Sequence, residues 1–156
     1  MDFLTDDAKW MCEALRKAHL AADEGEVPVG AVVVVDGNMI AACHNLCETA
    51  KDATAHAECL AISDACRALG SWRLENATLY VTLEPCPMCM GAIINARIPR
   101  VVFGAFDARA GACGSLINLP SYPLESRPEC IGGLMEEDCR RLLTDFFAKK
   151  RKKPEK

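Results

Sequence analysis

Two short strings of metal-binding residue types, far apart in the chain, place the strongest constraint on its fold. His56-Ala57-Glu58 carries an imidazole and a carboxylate, and Pro85-Cys86-Pro87-Met88-Cys89 carries two thiols. One imidazole and two thiolates are three of the four ligands that zinc takes, and a catalytic zinc keeps its fourth position open for water. A fold that uses these strings together has to bring them to one place.

The spacing within each string predicts where that place lies. On a helix, Cys86 and Cys89 differ by about 300° of rotation, so their sulfurs point to the same face. Pro87 suits the first turn of a helix, and the positive end of the helix dipole favours the thiolate form. His56 and Glu58 differ by about 200°, so they converge only on a pocket beside a first turn. We therefore predict that the N-termini of two helices point at one site.

The charges of this residue set favour water activation. A zinc ion, two thiolates and a neutral imidazole sum to nearly zero charge, and such a zinc makes its water far more acidic than bulk water. Glu58 is then placed to accept the water proton and pass it to a substrate. The residues thus predict hydrolytic chemistry at a catalytic zinc.

Other interpretations of the cysteines stay open at this point. A Cys-x-x-Cys string is also typical of redox pairs and of structural zinc sites, where Cys43, Cys47 or Cys59 would provide the fourth ligand. The two thiols could also be simple buried hydrophobes. None of these interpretations gives Glu58 a role, which favours the catalytic zinc.

The composition indicates where in the cell the protein functions and which kinds of partner it can bind. The ten cysteines would indicate a disulfide framework in a secreted chain, but the N-terminus has early acids and no basic start before an apolar block. No apolar run is long enough to span a bilayer. We expect a cytoplasmic protein with reduced thiols and no membrane partner.

The charged residues are unevenly distributed along the chain. The net charge is −4, yet the chain carries five consecutive cations from Lys149 to Lys153. Such a run is a solvated tail or contacts nucleic-acid phosphates.

The hydrophobic pattern predicts an α/β fold with helices on both faces of a mixed sheet. We predict one domain over residues 1–148 and a basic tail over residues 149–156. Strands are expected at 30–35, 39–43, 78–83 and 101–104, with an edge strand or loop at 131–135. Residues 44–54 and 106–127 are expected to be loops. Helices are expected before Gly25, at 55–69, at 87–96 and from Glu136 onward.

Further strings carry a resemblance to a known family. The chain resembles the bacterial tRNA-specific adenosine deaminases, within the cytidine deaminase-like zinc superfamily. The zinc motif itself indicates the superfamily, and the surrounding strings indicate the tRNA-editing branch. These strings are Glu26-Val27-Pro28-Val29-Gly30-Ala31, Thr54 to Glu58, Leu79 to Cys89, Gly91-Ala92-Ile93-Ile94, Arg97-Ile98, Arg100 to Ala105, Gly114-Ser115-Leu116 and Asp145-Phe146-Phe147.

The resemblance implies a reaction and an assembly. One Zn²⁺ per subunit, held by His56, Cys86 and Cys89, activates water to attack C6 of adenine, while Glu58 shuttles the proton. Adenosine becomes inosine at the wobble position of a tRNA anticodon stem-loop. The family fold is a three-layer α/β/α sandwich with a five-stranded mixed sheet. Its members act as homodimers in which both subunits shape each active site.

The resemblance also implies substrate contacts. Asn45 matches a residue that touches the target nucleotide, and Asp107 matches one that binds a neighbouring ribose, where a 2′-hydroxyl distinguishes RNA from DNA. Phe147 and Arg151 match a C-terminal helix that lies along the RNA. The chain departs from the family pattern at Phe106, where many members carry a polar or basic residue. It also departs at Leu46 and Cys47, which make an apolar flank after Asn45.

Two other functions use the same residues. A deaminase of free nucleobases or nucleotides, of the guanine or cytosine type, would share the zinc machinery but would not need Asp107 or the basic C-terminal run. A zinc-stabilised RNA-binding module without activity would not need Glu58, because Glu58 binds no metal.

Overall fold

The computed structural model of the protein describes the backbone of residues 3–152 and the side chains of residues 6–152. The last four residues of the predicted basic tail, 153–156, lie outside the described residues. The strands are β1 (Gly30–Val35), β2 (Asn38–His44), β3 (Ala77–Leu83), β4 (Arg100–Ala105) and β5 (Glu129–Gly132). The α-helices are α1 (Phe3–Asp23), α2 (Cys47–Ala50), α3 (Ala57–Leu69), α4 (Pro87–Asn95) and α5 (Glu136–Lys152), and a 3-10 turn covers Leu119–Ser121.

The five strands form one mixed sheet in the order β2-β1-β3-β4-β5. β1 runs antiparallel to both of its neighbours, and β3, β4 and β5 run parallel to one another. The parallel strands β3 and β4 are joined by α4, which makes the unit β3–α4–β4 a parallel crossover. This topology puts the carboxyl ends of β2, β3 and β4 at the same edge of the sheet, so the segments that follow these strands are neighbours in space.

Helices cover both faces of the sheet, which confirms the predicted three-layer sandwich. α3 and α4 pack on one face against side chains such as Val33, Leu79 and Val101. α1 and α5 pack on the other face against the alternate side chains of the same strands, including Val32 and Tyr80. The period-2 alternation of strand side chains thus supplies two separate apolar cores.

Two glycines in the strands allow α1 and α5 to pack closely against the sheet. A Cβ atom at Gly30 would lie 1.9 Å from the Ala14 carbonyl oxygen of α1, and one at Gly104 would lie 2.3 Å from the Cys139 sulfur of α5. Any side chain at these positions would push its helix away from the sheet. Both glycines lie in strings that carry the family resemblance.

Three elements differ from the sequence prediction. The segment 44–54, expected to be a loop, contains α2, because the buried carboxylate of Glu26 accepts hydrogen bonds from its first N–H groups. β5 begins two residues before the predicted strand and pairs parallel with β4. α5 continues through the predicted boundary at residue 148, so Lys149 to Lys152 are helical. Among the described residues, no helix is long and apolar enough to cross a membrane.

Candidate metal centre and substrate groove

The two ligand-bearing strings meet at the N-termini of two helices. His56 is the residue immediately before α3, and Cys86 is the residue immediately before α4; both have extended backbone conformations. Cys89 lies in the first turn of α4, which starts with Pro87. The predicted convergence of two helix N-termini is therefore present in the fold. Their positive dipole ends favour anionic ligands in the space between them.

The three predicted ligand atoms are close enough to hold one metal ion. The His56 Nδ1 atom lies 3.6 Å from Cys86 Sγ and 3.4 Å from Cys89 Sγ. All three ligand atoms lie within 4.8 Å of one another. Two sulfurs and one imidazole nitrogen match the ligand preference of zinc, and three protein ligands leave a coordination position open.

Ionisation of the thiol and carboxyl groups also suits such a centre. A hydrogen bond from the Cys89 thiol, aided by the nearby His56 ring, lowers the pKa of Cys86 to about 4. The thiolate form, which binds metal, is thus favoured at Cys86, whereas hydrogen bonds with Cys59 and Cys86 raise the pKa of Cys89. Glu58, in the first turn of α3, is 3% exposed, and this burial raises its pKa to about 7. A carboxyl group in this environment can both accept and release a proton near neutral pH.

The other cysteines that could complete a four-ligand site are arranged differently. Cys59 Sγ lies 3.7 Å from Cys89 Sγ, but Cys59 is not part of the cluster of mutually close ligand atoms. The Cys43 thiol donates a hydrogen bond to Asp64 across 3.2 Å. All ten cysteines are free thiols. The arrangement thus offers three ligands and not the closed set of a structural zinc site.

Glu84 organises the loop that follows β4. This carboxylate is 2% exposed. It accepts backbone hydrogen bonds from Asp107 (3.1 Å), Cys113 (3.0 Å) and Ser115 (3.1 Å), and a further one from the Ser115 hydroxyl. Burial opposes its ionisation, but these four donors hold the pKa of Glu84 below its ordinary value.

Glu26 has a similar role beside Asn45. Its buried carboxylate accepts hydrogen bonds from the Glu48 and Thr49 N–H groups and from the Thr49 hydroxyl, at 3.0, 2.7 and 2.6 Å. The Asn45 side-chain oxygen accepts a bond from the Cys47 N–H at 3.4 Å, which is a local turn interaction. The Leu46 N–H donates to the Ala55 carbonyl at 3.0 Å, which ties this segment to the residue before His56.

A groove of about 1320 Å³ brings together three of the four predicted substrate residues. Asp107 comes from the loop after β4, and Phe147 and Arg151 come from α5. Asn45 does not line this groove. Further groove residues are Val27, Leu83, Ala105, Phe106, Ala108, Arg109, Ala110, Arg140, Leu143, Thr144 and Lys150. Four lining residues are cationic and one is acidic, although the whole chain is acidic.

Phe147 is exposed in the groove, and local backbone groups hold the Asp107 carboxylate. Phe147 is 41% exposed, so it belongs to the surface and not to the core. Asp107 Oδ1 accepts bonds from the Arg109 and Ala110 N–H groups at 3.0 and 3.2 Å, which orients its side chain. Neither the anchoring carboxylate of Glu26 nor the groove position of Arg109 could be predicted from the local sequence. A buried acid with distant partners leaves no local signal, because its donors lie some twenty residues away.

Known proteins share the sequence and the fold of this chain. The profile of the MafB19-like deaminase family matches residues 5–150. The tRNA-specific adenosine deaminase of Bacillus subtilis is 51% identical, over 96% of this chain and 94% of its own. A solved structure from a study of A-to-I editing by tRNA:A34 deaminases at the wobble position of transfer RNA superposes with a TM-score of 0.85. It is 45% identical and covers 86% of this chain and 99% of that one.

A second kind of deaminase shares the fold at lower similarity. The X-ray structure of a guanine deaminase from Bacillus subtilis superposes with a TM-score of 0.62 at 34% identity, over 95% of this chain and 96% of that one. Both the sequence and the superposition are thus closer to the tRNA-specific enzymes. The chain belongs to the MafB19-like deaminase family, in its branch of tRNA-specific adenosine deaminases.

Proposed function

We propose that this protein catalyses the zinc-dependent hydrolytic deamination of adenosine to inosine at the wobble position of a tRNA anticodon. The observation that carries the proposal is the cluster of His56, Cys86 and Cys89 beside the buried Glu58. Hydrolytic nucleobase deaminases use a metal centre with three protein ligands, together with a carboxylate that carries protons.

We assign zinc to the cluster because its donors are two sulfurs and one imidazole nitrogen. His56, Cys86 and Cys89 would hold the ion. When bound, zinc supplies the Lewis acidity that brings the pKa of water close to neutrality. The positive ends of α3 and α4 point at the cluster and favour the anionic thiolate form of its cysteine ligands, which supports the assignment.

Glu58 is the proton carrier of the proposed reaction. Its place in the first turn of α3, two residues after His56, and its burial support this role. Glu58 would accept one proton from the attacking water and deliver it to a ring nitrogen of the purine. It would then take the remaining water proton from the hydroxyl group on C6 and deliver it to the amino group, which leaves as ammonia.

The groove between the loop after β4 and α5 is the proposed path of the RNA. Arg109, Lys150 and Arg151 provide positive charge for phosphates, and Asp107 provides an acceptor for a ribose hydroxyl. Asn45, from the same edge of the sheet, is assigned to the target nucleotide. As the family resemblance implies, we further propose that the protein is a homodimer. We place it in the cytoplasm because its ten cysteines are compatible with reduced thiols.

One assay separates this function from its alternative, the deamination of a free base, which the similarity to guanine deaminase favours. The purified protein is incubated with an anticodon stem-loop that has adenosine at the wobble position, and separately with guanine and cytosine. We expect inosine in the digested RNA, detected by mass spectrometry, and no release of ammonia from the free bases. Ammonia from a free base alone would overturn the proposal. Elemental analysis of the same preparation tests for one zinc per chain.

A further inference from the structure

Phe106 presents an aromatic ring to the substrate groove. The ring lines the groove and is 44% exposed. The residue directly precedes Asp107 in the loop after β4.

The ring is held firmly on its inner side. Its plane stands at 87° to that of Phe103, with 5.2 Å between the ring centres, and Phe103 is buried. The backbone of β5 lies against the ring, since a Cβ atom added at Gly132 would come within 2.9 Å of it. A Cβ at Gly133 would lie 3.5 Å from it. The exposed part of the ring is therefore fixed before any ligand binds, which lowers the entropic cost of binding.

The surroundings of the ring indicate the kind of ligand. Arg109, Lys150 and Arg151 line the same groove, together with a second exposed aromatic side chain, Phe147. Aromatic rings among cations are the arrangement with which proteins bind single-stranded nucleic acid: the rings stack on bases and the cations follow the backbone. An apolar peptide could pack against the aromatic rings, but it would leave the cationic side chains without anionic partners.

We propose that Phe106 is a stacking platform for an unpaired anticodon-loop base that neighbours the wobble adenosine. The inference rests on the proposed function and adds a specificity contact to it. The neighbouring base is favoured over the target itself, because Phe106 lies beside the proposed ribose ligand Asp107 and not among the residues of the metal centre. The contact is sequence-tolerant, since every base offers a π-face.

The test combines protein variants with modified RNA. For Phe106→Leu we expect KM for the stem-loop to rise about tenfold with little change in kcat, and Phe106→Tyr to restore the wild-type KM. Trp72→Leu is the matched control, because Trp72 is 57% exposed but does not line the groove. Two further stem-loops each carry one abasic site, on the 5′ or the 3′ side of the wobble position. With the wild-type protein, one of these two RNAs should show a similar rise in KM. At that site Phe106→Leu should add nothing further.

The outcomes separate the inference from the function on which it rests. If the wild type deaminates the stem-loop while neither Phe106→Leu nor any abasic site changes KM, the stacking platform is wrong and the function stands. The stacking platform is also wrong if Phe106→Leu raises KM by the same factor for every abasic RNA. If the wild type does not deaminate the stem-loop, both proposals fail. Zinc content and the thermal midpoint of each variant show whether it is folded, and the abasic series needs no variant.

Discussion

The Glu84 carboxylate accepts a hydrogen bond from the backbone N–H of Asp107, with 3.1 Å between Oε1 and N. Glu84 stands two residues before Cys86, and Asp107 lines the groove. One buried side chain therefore connects the turn that carries the proposed metal ligands to the loop that carries a proposed RNA contact. Because the carboxylate also binds the N–H groups of Cys113 and Ser115, the whole loop depends on it.

Replacement of Glu84 should damage both stability and RNA binding. Glu84→Ala leaves three backbone N–H groups without their acceptor, which we expect to lower the free energy of unfolding by about 3 kcal/mol. KM for the stem-loop should rise because Asp107 is no longer held. Ser115→Ala is the control, since it removes one donor and keeps the three backbone bonds. Urea unfolding and steady-state kinetics measure the two effects; equal values for both variants would argue against the role of Glu84.

Replacement of Glu58 should abolish turnover without releasing the metal. Glu58→Gln keeps the shape of the side chain but cannot carry a proton, so kcat should fall by about 10²–10⁴. Zinc content should stay at one per chain, because Glu58 is not among the predicted ligands. His56→Ala provides the contrast, with both zinc and activity lost. An active Glu58→Gln variant would exclude the proposed mechanism.

The cations of α5 should set the salt dependence of RNA binding. Replacing Lys150 and Arg151 with serine removes two phosphate contacts, so the slope of log K against log salt should become shallower by about 1.4. Arg16 and Arg67 form the control pair, because both are exposed and lie outside the groove. Fluorescence anisotropy with a labelled stem-loop gives the slopes. Equal slopes for the two double variants would show that these cations of α5 do not contact the RNA.

The ion pair between α1 and β4 should make stability depend on acid pH. Asp7 accepts bonds from Arg100 at 2.9 and 2.7 Å and from the Tyr80 hydroxyl at 2.7 Å. The hydrogen bonds from Arg100 hold the pKa of Asp7 below its ordinary value. Its contribution is therefore complete above the unfolded pKa of about 3.9, and it is lost as pH falls through the folded pKa.

Asp7→Asn should accordingly lower the free energy of unfolding by about 3 kcal/mol at pH 7, because Arg100 loses its partner. The difference from wild type should shrink below about pH 4. Tyr80→Phe is expected to cost about 1 kcal/mol with much less dependence on pH. Urea unfolding over a pH series measures all three proteins. A constant difference between Asp7→Asn and wild type would contradict the ionised pair.

A single methyl group at Gly30 should disrupt the packing of α1. Because the added Cβ would lie 1.9 Å from the Ala14 carbonyl oxygen, Gly30→Ala should destabilise the fold by about 3 kcal/mol or more. Gly91→Ala is the matched control, since a Cβ there meets nothing within 4 Å and Gly91 lies in a helix. That variant should be as stable as wild type or gain about 0.5–1 kcal/mol. Thermal and urea unfolding compare the pair.

Much of the fold followed from local patterns. The strand predicted at 30–35 is β1, and the strand predicted at 39–43 is β2 to within one residue at each end, because the hydrophobic signal of a strand lies within the strand itself. The residues 44–54 were predicted as a loop, yet α2 forms there on hydrogen bonds to Glu26, some twenty residues away. β5 was uncertain for the same reason: it is a short edge strand whose pairing with β4 comes from distant residues.

Residue types and their spacing were enough to predict the three candidate ligands and Glu58 beside them, because the first turn of a helix is a local structure. The groups that surround this cluster could be seen only in the folded chain. The strand order brings the ends of β2, β3 and β4 to one edge, the partners of Glu84 come from a loop more than twenty residues away, and Phe106 is exposed because Phe103 and β5 fill the space beneath it. Each of these depends on contacts between distant segments, which neither periodicity nor spacing encodes.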